Sequence, residues 1–497
     1  MKKLMLLMCI LVFLFFSCSE TEPEIDPIDE EGIVKKNFKA QSFKDGSFYS
    51  LEAGKLAVGT YCTVWVERGA GIDKVGAKKV ADAFDNNIYQ KMIDNFVVTN
   101  INGFNFTAEL ADINADQDGK LLILLLDIKD NYGTTASAVG GYFLWSDLFP
   151  SEDNSNGLAM IYVDTNPGKP GETESNKTLA HEMQHLINEI TSQVLRFSNS
   201  QYSAMDLWID EGLSTAAEYV YSGSHPNDRW GWYHNNGNGT NIKSNIDQGN
   251  NFFVWGNRTS NPYAEIDDYA TAYLFFQWLR IHSSNGSGIY KEIIGSANAD
   301  YKAVTSAASS KIAPSYNNDW GGLLRDWLAA NYIYDADSRY GYKNDLPIPN
   351  NGKLGKHLLT SGTTASLYPG EGVFSNITDA YVTDNPDMPT NDGTNTNIKY
   401  SVLTTAPGDD MEKGVLLTYN ANSVNVVDGD FPSPENGAVT GVASISVDIS
   451  VDGRFVSAPF TLSGPYWVSG TDVLRRNGRA GSLSPAGVPR SSIRIVK

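Results

Sequence analysis

Apolar and polar residues alternate with different periods in different stretches of this chain, and the periods divide it into elements. Leu121–Leu126 is six apolar residues in a row after Asp118-Gly119-Lys120, the pattern of a central strand buried on both faces. Tyr61–Glu67, rich in β-branched and aromatic residues, and Leu158–Val163 also read as strands. Between them the period changes to that of a helix. Ala77, Val80, Ala81, Phe84, Ile88 and Met92 form one stripe, and Asp73 is placed to cap a helix over Lys74–Asn95. Two further helical stretches follow, one around Thr178–Ile190 and one in which Leu207, Trp208, Leu213, Ala216, Ala217 and Val220 share a face, joined by the polar loop Arg196–Asp206. After a long polar loop, about 222–261, Tyr269–Leu279 and Leu323–Ile333 read as apolar helices. From about Lys353 helical periodicity is lost. Ile445, Val447, Ile449 and Val451 alternate with polar residues, and Asp452-Gly453 marks a hairpin before Phe455-Val456. The expected architecture is α+β, with a mixed sheet and a helical subdomain over residues 38–352 and an all-β accessory domain over 353–497.

The two ends of the pattern differ from its middle. Lys2 and Lys3 precede the apolar run Leu4–Phe16, which is too short to span a bilayer and reads as a secretory signal over residues 1–17. Its end, Phe15-Phe16-Ser17-Cys18, resembles a bacterial lipobox, so Cys18 is expected to carry lipid. Seven of the twelve residues Glu20–Glu31 are acidic and two are proline, so 18–37 is expected to be a flexible tether at the outer membrane or cell surface. The formal charge of −20, or −22 without Lys2 and Lys3, argues against nucleic acid or anionic membranes as partners. Once Cys9 leaves with the signal and Cys18 is lipidated, Cys62 has no partner, which excludes a disulfide framework.

The chemistry concentrates in Thr178–Glu218. His181 and His185 are four residues apart on a helix, so both imidazoles leave the same face and can reach one cation. Glu182, between them, can take a proton from a water at that metal. Glu211, 26 residues after His185, is the expected third ligand. A purely structural zinc is the competing explanation, but such sites are usually cysteine-rich and closed. Asp112, Asn114, Asp116 and Asp118 partly match a calcium loop. The glutamate expected at the twelfth position is missing, and the stretch reads as a polar turn. His225 and His234 read as solvated loop residues.

His-Glu-Met-Gln-His-Leu-Ile-Asn at 181–188, followed by Trp-Ile-Asp-Glu-Gly-Leu at 208–213, resembles the gluzincin metallopeptidases and in particular the hyicolysin-like family. The second stretch is similar to a segment of aminopeptidase-N-type enzymes. That resemblance implies zinc as cofactor, Glu211 as ligand, and Glu218 as acceptor for a ligand imidazole N–H. It also implies that Tyr269, in Tyr-Ala-Thr-Ala-Tyr, stabilises the oxyanion, although the Lys and Gly that follow this Tyr in the aminopeptidases are absent here. In such enzymes an edge strand pairs with extended substrate, and Leu158–Val163 and Val139–Trp145 are the two candidates. Gly157-Leu158-Ala159-Met160-Ile161 lacks the glutamate that would hold a free amino terminus, which favours an endopeptidase acting on peptides or proteins. The alternative is a surface binding lipoprotein with a vestigial zinc site, whose β domain recognises glycan or protein.

Overall fold

The computed structural model describes residues 26–99, 101, 103–133, 138–198, 201–235, 252, 264–333 and 338–346, and from 358 onward only short strand segments. The described part up to 346 mixes helix and sheet. Eight strands occur there: β1 (Lys35–Gln41), β2 (Phe48–Val58), β3 (Cys62–Glu67), β4 (Leu121–Leu126), β5 (Gly141–Tyr142), β6 (Met160–Asp164), β7 (Phe197–Ser198) and β8 (Gln201–Tyr202). Its helices are α1 (Lys74–Ala83), α2 (Tyr89–Phe96), α3 (Phe106–Ile113), α4 (Thr173–Leu195), α5 (Leu207–Ser222), α6 (Trp232–Asn235), α7 (Ala264–His282), α8 (Gly288–Ile294), α9 (Tyr301–Lys311) and α10 (Trp320–Ile333).

Six of the strands form one sheet in the order β1-β2-β3-β4-β6-β5. β3, β4 and β6 run parallel at its centre, and β5 returns antiparallel along β6. Side chains of β4 alternate between the faces. Leu121, Ile123 and Leu125 join the core shared with the helices, and Leu122, Leu124 and Leu126 join a second core with Phe38, Trp65, Tyr142 and Tyr162. This two-sided burial explains the unbroken apolar run, because neither face meets water. The pairing also separates the two candidate edge strands. β6 lies inside the sheet between β4 and β5, so the edge belongs to the Val139–Trp145 region and not to Leu158–Val163.

The folded part begins before residue 38. Ile28 is fully buried, with its side chain against Gly54 of β2, where a Cβ would come within 2.7 Å of Ile28 Cβ. Arg68 Nη2 holds Asp29 at 2.9 Å, and Lys74 holds Glu30 at 2.5 Å. The acidic residues from Asp26 onward therefore pack on the sheet instead of forming a tether. A single buried isoleucine among charges anchors them, because its burial stabilises by roughly 1.5–3 kcal/mol while exposed ion pairs add little.

Asp73 caps α1 as expected, accepting from the Gly76 amide at 2.8 Å. The expected 74–95 helix has one wider turn at Phe84–Ile88 between α1 and α2. The loop at 196–206 contains the small β7–β8 hairpin. The turn at 112–119 is a polar turn that fastens strands: the Asn114 side chain accepts from the Ala159 amide and donates to the Ala159 and Lys120 carbonyls. Ile398–Thr404 pairs antiparallel with Lys413–Tyr419, and Ile445–Ile449 with Phe455–Ser457. The Asp452-Gly453 turn lies outside the described residues, as do the signal and Cys18.

Candidate metal centre

The site is built where α4 packs against α5, with α7 packed on α5. α4 is buried all round from Ser175 to Ser192, although many of its residues are polar. Buried polar groups are costly unless they are paired or kept for a ligand. Many polar groups of α4 are paired, while His181 Nε2, His185 Nε2, both Glu182 oxygens, Asn176 Oδ1, Gln184 Nε2 and Asn188 Oδ1 are not.

His181, Glu182, His185 and Glu211 are each at most 2% exposed. His181 Nε2, His185 Nε2 and Glu211 Oε2 have no hydrogen-bond partner. Glu211 Oε2 lies 3.5 Å from His181 Nε2 and 3.7 Å from His185 Nε2, and one ligand atom from each of the three residues falls within 4.8 Å of the others. Donors about 2.0–2.1 Å from a tetrahedral ion are about 3.3 Å apart, so the Glu211 oxygen already stands near the spacing to each imidazole that a shared cation requires. Two imidazoles and a carboxylate, with no cysteine, form a donor set that suits a divalent metal ion. The residues present fit a metal ion.

The opposite nitrogen of each imidazole is occupied. His181 Nδ1 lies 3.0 Å from Glu218 Oε1. His185 Nδ1 lies 2.9 Å from Ser214 Oγ and 3.1 Å from Asp210 Oδ1. Asp210 is itself held by Asn188 Nδ2 at 2.5 Å, and Ser214 bonds the Gln184 side chain and the Asp210 carbonyl. These contacts place the proton on Nδ1 and leave the Nε2 lone pairs facing Glu211. Glu218 is thus the acceptor beside His181 Nδ1. Asp210 and Ser214 are additional. Sequence spacing gave a partial signal for them, since Ser214 is one turn beyond Asp210, but nothing in the pattern shows which way they face.

Burial disfavours a charged His181, yet its contacts with Glu211 and Glu218 outweigh that and push the metal-free imidazole up to about 10. Burial holds His185 below its usual range, opposed by Asp210. A proton shared between His181 and the carboxylates must leave when a cation binds. Glu182 is pushed well above the usual carboxylate range by burial, with His181 opposing and Glu211, Asp210 and Glu218 adding to the rise. Both its carboxylate oxygens lack hydrogen-bond partners.

Edge strand β5 passes directly over this helix. A Cβ on Gly141 would lie 2.7 Å from Thr178 Cγ2 and 3.5 Å from Glu182 Cγ, so only glycine lets the strand come so close. Tyr269 lies on α7, and its ring carries the Arg229 guanidinium at 4.9 Å. Arg229 reaches Glu218 Oε1 at 3.6 Å. His225 is not solvated: Nδ1 lies 2.6 Å from Tyr273 Oη, and Nε2 lies 3.2 Å from Asp345 Oδ2. It stands apart from the three-residue cluster, the only such group of potential metal ligands among the described residues.

No family model matches the chain. Over 291 residues it is 32% identical to the neutral metalloprotease ShpI of Staphylococcus hyicus. The match spans 57% of this chain and 59% of that relative, less than two thirds of its length.

Proposed function

We propose that this chain is a zinc-dependent metalloendopeptidase, exported and anchored by lipid at Cys18. The observation that carries the activity is the trio of buried, unpartnered atoms His181 Nε2, His185 Nε2 and Glu211 Oε2, with both imidazoles backed by carboxylates. The similarity to a neutral metalloprotease supports the same reading. His181, His185 and Glu211 hold the ion, which supplies Lewis acidity at the scissile carbonyl when bound.

The chain's own residues do the rest. Glu182 takes the proton of the attacking water and passes it to the leaving amine. Its burial among carboxylates favours proton uptake, and its unpartnered oxygens leave it available. Tyr269 serves as an oxyanion donor. The edge of β5, which pairs with no further strand among the described residues and lies against Thr178 and Glu182, receives an extended substrate by backbone pairing, which tolerates many sequences.

The test measures kcat/KM on a quenched peptide pool alongside zinc stoichiometry. Glu182→Gln should keep one zinc per chain and lose about 10²–10⁴-fold in rate. Glu211→Ala should lose zinc and activity together. A Glu182→Gln protein that cleaves at near wild-type rate would refute the assigned base, and a wild-type chain that holds zinc but cleaves nothing would refute the peptidase.

A further inference from the structure

The sheet face opposite α4 carries a second buried polar cluster, directly behind edge strand β5. Consecutive strand residues point to opposite faces. Gly141 lies against Thr178 and Glu182, whereas Tyr142 joins the second core, where its ring stacks on Tyr162 of β6 at 4.2 Å. In the turn Trp145–Leu148 that follows the strand, Asp147 is fully buried. Its Oδ2 accepts from Tyr162 Oη at 2.6 Å, and its Oδ1 accepts from the Asn156 amide at 2.7 Å and from Asn156 Nδ2 at 3.1 Å. Asn156 in turn grips β1. Its side chain accepts from the Lys39 amide at 2.8 Å and donates to the Lys39 carbonyl at 2.9 Å. Asp147 thus closes the connection from β5 to β6, and Asn156 sews that connection to β1.

No cation among the described residues offsets Asp147, and a buried carboxylate without one is costly. Burial pushes this carboxyl up to about 7, against the hydrogen bonds from Tyr162 and Asn156. The cluster offers a complete arrangement for either protonation state. With Asp147 ionised, the Tyr162 hydroxyl donates to it. With Asp147 protonated, the carboxyl donates to Tyr162 Oη, and Tyr162 turns its own proton to the Lys39 carbonyl at 3.0 Å. Protonation therefore adds a link from β6 to β1, and ionisation withdraws it and leaves a charge in the core. The neighbouring titratable groups do not change with it. Burial pushes the Tyr142 and Tyr162 hydroxyls well above their usual range, Lys39 Nζ donates to Ser50 Oγ at 2.9 Å, and Glu152 and Asp153 of the connecting loop are at least partly exposed.

We infer that Asp147 is a positioning residue for substrate: as it gains or loses a proton it tightens or loosens the seam between β1 and the β5–β6 connection, and so tunes how firmly edge strand β5 receives an extended peptide. This rests on the metallopeptidase reading, with β5 as the receiving strand, and adds to it a control by pH. Asp147 acts through Tyr162 and the stack of that ring on Tyr142, not by touching substrate. The folded carboxyl titrates above an ordinary aspartate, so its contribution is full below the ordinary aspartate range and is lost as pH rises through about 7. Peptide is held more firmly on the acid side of that range.

The test is made in the zinc-loaded Glu182→Gln protein, where peptide stays intact and the proposed base no longer titrates. Fluorescence anisotropy measures affinity for a labelled peptide across a pH series spanning about 7, with and without Asp147→Asn. The asparagine amide imitates the protonated carboxyl, because it can donate to Tyr162 without ionising. Other groups titrate alike in both proteins, so the ratio of the two affinities isolates Asp147. That ratio should move about 2–10-fold in favour of Asp147→Asn as pH rises, the worth of one hydrogen bond. The thermal midpoint of Asp147→Asn should rise relative to the parent over the same range. A ratio and a midpoint difference that stay constant with pH would overturn the inference. So would a midpoint difference that changes while the affinity ratio does not, which would make Asp147 a matter of stability alone. If Asp147→Asn does not fold, Tyr162→Phe decides. It keeps the stacked ring and removes the hydroxyl that passes the proton on, and a constant affinity ratio to the parent would overturn the inference. Wild-type protein assayed in parallel separates the two readings. Cleavage by wild type with a constant ratio removes only the role of Asp147, whereas no cleavage by wild type removes the peptidase.

Discussion

At the scale of single residues, each imidazole of the pair serves two partners. His181 presents Nε2 to Glu211 and gives Nδ1 to Glu218, and His185 does the same with Asp210 and Ser214. The carboxylate behind a ligand imidazole orients the ring and raises its basicity, so its loss weakens metal binding even though it never touches the ion. Glu218→Ala and Asp210→Ala should each lower zinc affinity by about 10–100-fold, measured by competition with a chromogenic chelator. Affinities unchanged in both variants would mean that these carboxylates are only structural neighbours of the ligands.

At the scale of elements, the site depends on how closely α7 backs α5. A Cβ on Gly212 would fall 2.3–2.4 Å from ring carbons of Phe276, so α5 and α7 touch backbone to ring at the residue after Glu211. Helix propensity alone favours alanine there by about 0.5–1 kcal/mol. Overpacking a tight contact costs about 1–3 kcal/mol, and the larger effect should win. Gly212→Ala should therefore lower the thermal midpoint of the metal-free protein and reduce zinc content, because moving α5 moves Glu211. A variant as stable as wild type with full zinc would show that α7 yields without disturbing α5. Trp208, one turn before Gly212, stacks edge-on against Phe252 and near Trp320, so the same face of α5 is anchored by aromatic rings.

At the scale of the whole molecule, the sheet and the helices meet along α4, which contributes to the large core and carries His181 and His185, while Glu211 comes from α5. No helix among the described residues is long and apolar enough to cross a membrane. The proposed membrane attachment therefore rests on Phe15-Phe16-Ser17-Cys18. Cys18→Ser should move the protein from the membrane fraction to the soluble fraction, read by immunoblot. Unchanged fractionation would refute the lipid anchor.

Periodicity and spacing alone determined the two-sided strand at 121–126, the capped helix from Lys74, and the His181–His185 pair with Glu182 between. These depend on contacts within a few residues, or on a motif whose geometry one helix sets by itself. Tertiary structure decided what depends on groups distant in the chain. It placed the sheet edge at Gly141–Tyr142, buried Ile28 and so drew the acidic segment into the fold, set Asp210 and Ser214 behind His185, and left Arg229 buried without acceptors beside Glu218. A charged residue in a polar loop has no periodic pattern to show that it is buried. Only the packing of Tyr269 and Glu218 around Arg229 shows that this arginine, in the helical turn Asn227–Gly231, is buried.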